Sequence, residues 1–120
     1  MMAAIAESSI EYAVGYARSG HSVIWVDDAK GIDDALYLAH LAIRDEDALK
    51  IVRANGRERI EFSGGGSVKF FRSPDAVRGQ SADVAFLASK HRAGVAMATI
   101  APALYASDLG YIYALFERIG

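Results

Sequence analysis

Two short runs, SVIWV at 22–26 and DVAFLAS at 83–89, are apolar at almost every position. A strand with one face in water alternates apolar and polar residues, and these do not, so both of their faces must be covered. That requirement points to an α/β fold in three layers, with a mainly parallel central sheet. The third apolar run, YIYALF within 111–119, favours a strand that joins them, although an amphipathic helix fits its spacing too. A chain of 120 residues, 52% of them hydrophobic, holds one domain of this kind over 1–120 and is too short for two independent cores.

Between the runs the period changes. Ile5, Ser9, Tyr12 and Tyr16, with Ile10, Ala13, Val14 and Ala17, repeat at helical spacing up to Ser19, and Gly20 sits where a C-cap belongs. A second helix is expected to start at Asp33 or Asp34 and to place Leu36, Ala39, His40 and Ile43 on one face. LKIVRA, RERIEF and SVKFFR alternate instead, and are separated by Asn55-Gly56 and Gly64-Gly65-Gly66. Those spacers supply the positive φ angles of tight turns, which predicts an antiparallel meander, or at least a hairpin over 58–72, at the sheet edge. The second helix running on through LKIVRAN is the alternative. SPDAVRGQS reads as a loop, AGVAMATIAPALYAS as a helix bent near Pro102, and SDLG at 107–110 as a turn.

Charge is unevenly spread. Residues 50–92 hold nine basic and four acidic side chains, while the rest holds the other 4 of 13 basic and 11 of 15 acidic ones. A basic middle of +5 therefore lies between acidic flanks of −7, although the whole chain is only −2. There is no cysteine, so neither a disulfide framework nor a thiolate metal site is possible. The N-terminus lacks a basic leader, and the most apolar tract, 93–106, is shorter than a membrane span and contains Pro102. The expectation is a soluble protein of the cytoplasm.

Few motifs carry chemistry. Asp27-Asp28 end the first apolar run, where α/β proteins hold metals and phosphates. Phospho-acceptor receiver domains carry such a pair, but also need an aspartate and a lysine at later strand ends, and Ser63 and Ala88 stand there. A polar strand end entering a turn explains the pair as well. SGGGS joins two strands rather than a strand and a helix, so it reads as a hairpin turn and not as a phosphate loop. His21, His40 and His91 have no metal-ligand spacing, and no serine lies in a G-x-S-x-G context. Arg78-Gly79, in a polar loop feeding a buried strand, can offer a guanidinium to phosphate or pair with Asp75 or Asp83.

Over residues 5–117 the order of elements resembles the ATPase domain of phage large terminases, the motors that package DNA. GGGSVKFFRSPDAVRGQSADVAFLAS is similar to that family's hairpin, strand, arginine–glycine loop and Asp-led strand. ARSGHSVIWVDD looks like the helix end and strand that follow its phosphate loop, and IAPALYASDLGYIYALF like the later helix and core strand. The resemblance implies a P-loop-ATPase-like core and a phage or prophage origin, hence the host cytoplasm. It also marks losses. The Asp-Glu that closes the family's apolar strand is replaced by Ala88-Ser89, and spacing places Ala6-Glu7-Ser8 at the phosphate loop, with Glu7 where the lysine belongs. Without the cation, the metal ligand and the base, the main electrostatic contributions to phosphoryl transfer are gone.

The resemblance therefore implies a pared-down, catalytically inactive core without cofactor or metal. Such a core would act by association with itself or another protein, head to tail through the basic middle and the acidic flanks. Two other classes compete. A nucleic-acid-binding module over 53–78 would use Arg53, Arg57, Arg59, Lys69, Arg72 and Arg78, with Phe70 or Phe71 stacking on bases. A divergent metal-dependent enzyme would use Asp27 and Asp28.

Overall fold

Four aromatic rings, those of Phe70, Trp25, Phe86 and Tyr113, stand side by side across one face of a six-stranded sheet. The computed structural model describes residues 2–43, 48–54, 56–88 and 94–115. In chain order it contains α1 (Met2–Arg18), β1 (Ser22–Val26), α2 (Ala29–Ala42), β2 (Ala48–Val52), β3 (Arg59–Phe62), β4 (Ser67–Phe71), a 3-10 turn (Pro74–Val77), β5 (Val84–Ala88), α3 (Gly94–Ile100), a second 3-10 turn (Ala101–Leu104) and β6 (Tyr111–Leu115).

The strands lie in the order β2-β3-β4-β1-β5-β6. β4, β1, β5 and β6 are mutually parallel, while β2, β3 and β4 form the antiparallel meander. The three apolar runs are neighbours, as expected. Their placement differs in one respect: β6 is an edge strand rather than a central one, because the meander adds all its strands on the other side of β1. LKIV is a strand, which removes the helical alternative for that segment, and Tyr111–Leu115 is a strand as well. The rest of the final run, 116–119, lies outside the described residues.

Alternation within β1 explains why its sequence is continuously apolar. Val23 and Trp25 face α1 and α2, packing with Ile10, Val14, Ile32 and Leu36, while Ile24 and Val26 face Val77, Ile100 and Leu104 on the opposite side. In β5, Val84 and Phe86 take the first face and Ala85 and Leu87 the second. Trp25, Phe86 and Leu87 thus lie in buried neighbouring strands, with Trp25 opposite Phe86 and Val26 opposite Leu87. Stacked pairs such as Trp25–Phe86 at 5.4 Å and Phe86–Tyr113 at 4.8 Å each add about 0.5–1.5 kcal/mol beyond their buried area.

Helix ends follow local chemistry. Gly20, at φ 98°, closes α1: its N–H bonds to the Ala17 carbonyl and the His21 N–H to the Tyr16 carbonyl. The glycine turn between β3 and β4 docks on that end, where a Cβ on Gly66 would stand 1.9 Å from the Ala17 carbonyl oxygen. α2 begins at Ala29, four or five residues before the expected start. Asp28 is its N-cap and accepts from the Gly31 N–H at 2.8 Å, so Asp33 and Asp34 lie inside the helix. His40 is exposed rather than on the buried face of α2. The SPDAVRGQS loop includes the first 3-10 turn, and the bend at Pro102 is the change from α3 to the second.

Candidate functional site

β3 and β4 differ from the central strands because only one of their faces is roofed. Ile60, Phe62, Val68 and Phe70 pack under the helices, and the opposite face carries Arg59, Glu61, Ser67, Lys69 and Phe71. Of these five only Phe71 joins the apolar cluster on that side. The register sets Arg59 beside Lys69, Glu61 beside Ser67, and Lys50 of β2 beside Glu61. Gln80 borders the same face, with Gly56-Arg57 and Gly65-Gly66 also on its lining, and together they form an open groove of about 580 Å³.

Charges in this groove are ordered. The Arg59 Nε–H donates to Glu61 Oε2 at 2.6 Å. That bond holds the Glu61 carboxyl below its usual value against the opposing effect of burial, helped by the positive charge of Arg59, Lys50 and Lys69. Lys69 and Arg57 are both exposed, and the side chain of neither makes a hydrogen bond or ion pair among the described residues.

Of the six basic residues expected to act together, the structure gathers Arg57, Arg59 and Lys69. Arg53 is exposed beyond the end of β2 and does not line the groove. Arg72 does not line the groove, and its Nη2 donates at 2.8 Å to Glu58 Oε2, on a side chain only 2% exposed. Burial pushes the Glu58 carboxyl up, but the Arg72 bond, the Glu58 and Gly56 amides and the Arg72 charge outweigh it and leave the pKa lowered. Arg78 pairs at 3.3 Å with Asp75, both side chains well exposed, which is one of the two readings of the Arg78-Gly79 loop. Phe70 is buried and Phe71 half-buried, so one ring of the pair points inward.

The acids of the sequence take structural roles. Asp27 Oδ1 accepts from the Asp28 N–H at 2.7 Å while Asp28 caps α2, which is the polar-turn reading of that pair. Asp83 stitches the opposite end of the sheet, accepting from the Ser22 N–H at 2.9 Å and from the Ser107 hydroxyl at 2.6 Å. The Ser107 bond first, then the Ser22 amide, hold its carboxyl below the usual range. No group of three or more potential metal ligands occurs among the described residues.

Ala6, Glu7 and Ser8 fall inside α1 rather than ahead of it, and Ala88 is the buried last residue of β5. Ser89 and His91 lie outside the described residues. Gln80, Ser67 and Lys50 were not singled out by sequence, although the alternation that exposes Arg59 and Lys69 places Lys50 and Ser67 beside them.

A second surface lies at the far edge of the sheet. Tyr111 is 49% and Ile112 37% exposed on β6, and Tyr12 of α1, 63% exposed, stacks on Tyr113 at 6.4 Å. Comparison with family models, with curated proteins and with solved structures finds no match to this chain.

Proposed function

We propose that this protein is a non-enzymatic association module that pairs with a second copy of itself along β6. The observation that carries the reading is the contrast between the two sheet edges. β2 bears the exposed Lys50 and a register shift between Ala48 and Lys50, two devices that discourage strand addition. β6, sequence YIYAL, has neither: it contains no charged residue and no proline, and it is flanked by the exposed Tyr12 ring.

A second copy suits this edge because a two-fold interface sets each residue near its own counterpart. A strand without net charge meets no self-repulsion there, and its outer N–H and C=O groups, which pair with no other strand among the described residues, satisfy their counterparts in antiparallel register. Tyr12, Tyr111 and Ile112 would lose water at the same time. This moves the association surface from the basic middle to the apolar edge. A helix that already includes Ala6, Glu7 and Ser8, with a carboxylate where the resemblance expects the phosphate-binding lysine, and the Ala88 methyl where it expects a carboxylate, support the inactive half of the reading. The terminase-like ancestry and phage origin stay part of the proposal on the sequence resemblance alone.

Amide hydrogen exchange at increasing protein concentration tests it. Protection of Tyr111–Leu115 should grow with concentration while exposed amides of the β3–β4 turn stay fast. Concentration-independent exchange in β6 would overturn the pairing.

A further inference from the structure

We infer that the open face of β3 and β4 is a binding groove for single-stranded nucleic acid, with Arg57, Arg59 and Lys69 taking phosphates. The groove is independent of the β6 edge. β1 and β5 separate β4 from β6, so pairing at that edge leaves the groove of each copy open.

Shape, charge and side-chain type agree on this ligand. A volume of about 580 Å³ lies in the range that encloses ligands of nucleotide size. The floor is a sheet face, and Gly65 adds no side chain to one part of its lining, so an extended strand can lie along it. Lys69 and Arg57 are exposed cations whose side chains make no hydrogen bond or ion pair among the described residues, although Lys69 also acts on Glu61 through its charge, and phosphates would satisfy both. Arg59 gives its Nε–H to Glu61 and is held in place by it, which orients the guanidinium rather than removing its charge.

The other groove carboxylate, Glu58, is buried and already neutralised by Arg72, so the surface presents three cations against Glu61 alone. Ser67 and Gln80 add groups able to hydrogen-bond a base edge, and Phe71, packed on one side against the apolar cluster, leaves the rest of its half-buried ring on the groove lining. Only an unpaired base can lie down on a ring in that position, which selects a single strand over a duplex.

Fluorescence anisotropy with the full chain and a labelled oligothymidylate of about 20 nucleotides tests the inference. Three phosphate contacts predict a log–log salt slope near −2, so raising salt from about 50 to about 200 mM should weaken binding about 20-fold. Lys69→Glu and Arg57→Glu should each weaken it further and flatten the slope by about 0.7, with melting temperatures unchanged because both side chains are exposed. Arg78→Glu, which removes a cation paired with Asp75 outside the groove, should leave binding as it was. Absence of binding at low salt would overturn the inference, as would an equal loss from Arg78→Glu. Displacement by thymidine monophosphate at equal nucleotide concentration would replace the strand with a single-nucleotide site. Displacement by polyglutamate of equal charge would show an acidic protein surface as the ligand, and would overturn it too.

Discussion

The hydroxyl groups of Tyr16 and Tyr113 are 2.5 Å apart, a hydrogen bond that ties α1 to the edge strand β6 across 97 positions of sequence. It is the polar end of the aromatic row, and it fixes the strand on which the proposed association depends.

That bond predicts an unusual tyrosine. The Tyr16 hydroxyl is pushed up to about 12, first by its hydrogen bond with Tyr113, then by burial and by the neighbouring Tyr113, Tyr111 and Tyr12. An unfolded tyrosine ionises near pH 10, so this contribution to stability is present below that pH and is lost as pH rises from there toward about 12. Ultraviolet titration should show one of the six tyrosines ionising late. In Tyr113→Phe that late component should move down toward the ordinary range. Six tyrosines titrating together would contradict the geometry.

The Glu58–Arg72 pair should behave as a buried charge with one partly open partner. Arg72→Met leaves the Glu58 carboxylate uncompensated and should cost about 2–3 kcal/mol, below the fully buried range because Arg72 is 41% exposed. Because the folded pKa of Glu58 is lowered, its contribution is present above the unfolded value of 4.5 and is lost as pH falls below that. Urea melts of the wild type and of Glu58→Gln should therefore converge in acid. A constant difference between pH 7 and the acid limb would refute the assignment.

Phe86, 1% exposed and stacked between Trp25 and Tyr113, should be the most costly ring to lose. Phe86→Ala should cost about 3–5 kcal/mol and shift the emission of the single Trp25. Normal expression and an unchanged melt would remove β5 from the centre of the core.

The inactive reading predicts no response to nucleotide. Magnesium and ATP in thermal-shift assays should leave the melting temperature unchanged. Specific binding at 100 times its Kd would stabilise the fold by about 2.7 kcal/mol, a shift of several degrees, and would contradict that reading.

Much of this fold was legible because period and apolarity speak for themselves. SVIWV and DVAFL read as doubly covered strands, and the glycine spacers announced the meander. The start of α2 falls earlier than expected because Asp28, directly after the strand end at Val26, caps the helix through the Gly31 N–H, and the residue type alone does not set it apart from Asp33. The edge position of β6 was not legible, since an apolar strand carries no mark of how many neighbours it has. The basic residues were the least readable part. Alternation put Arg59 and Lys69 on one face, but it also put Arg72 on the other. Nothing local announced that Glu58 would be buried and claim it.

Sedimentation equilibrium of the wild type beside Ile112→Lys tests the association most directly. Ile112 is 37% exposed on β6, so lysine there guards the edge without entering the core, and in a two-fold pairing the new charges would repel across the strand boundary. The wild type should sediment as a dimer, and Ile112→Lys as a monomer with an unchanged melting temperature at low concentration. A wild type that remains monomeric at high concentration, or an Ile112→Lys variant that still dimerises, would contradict self-association through β6.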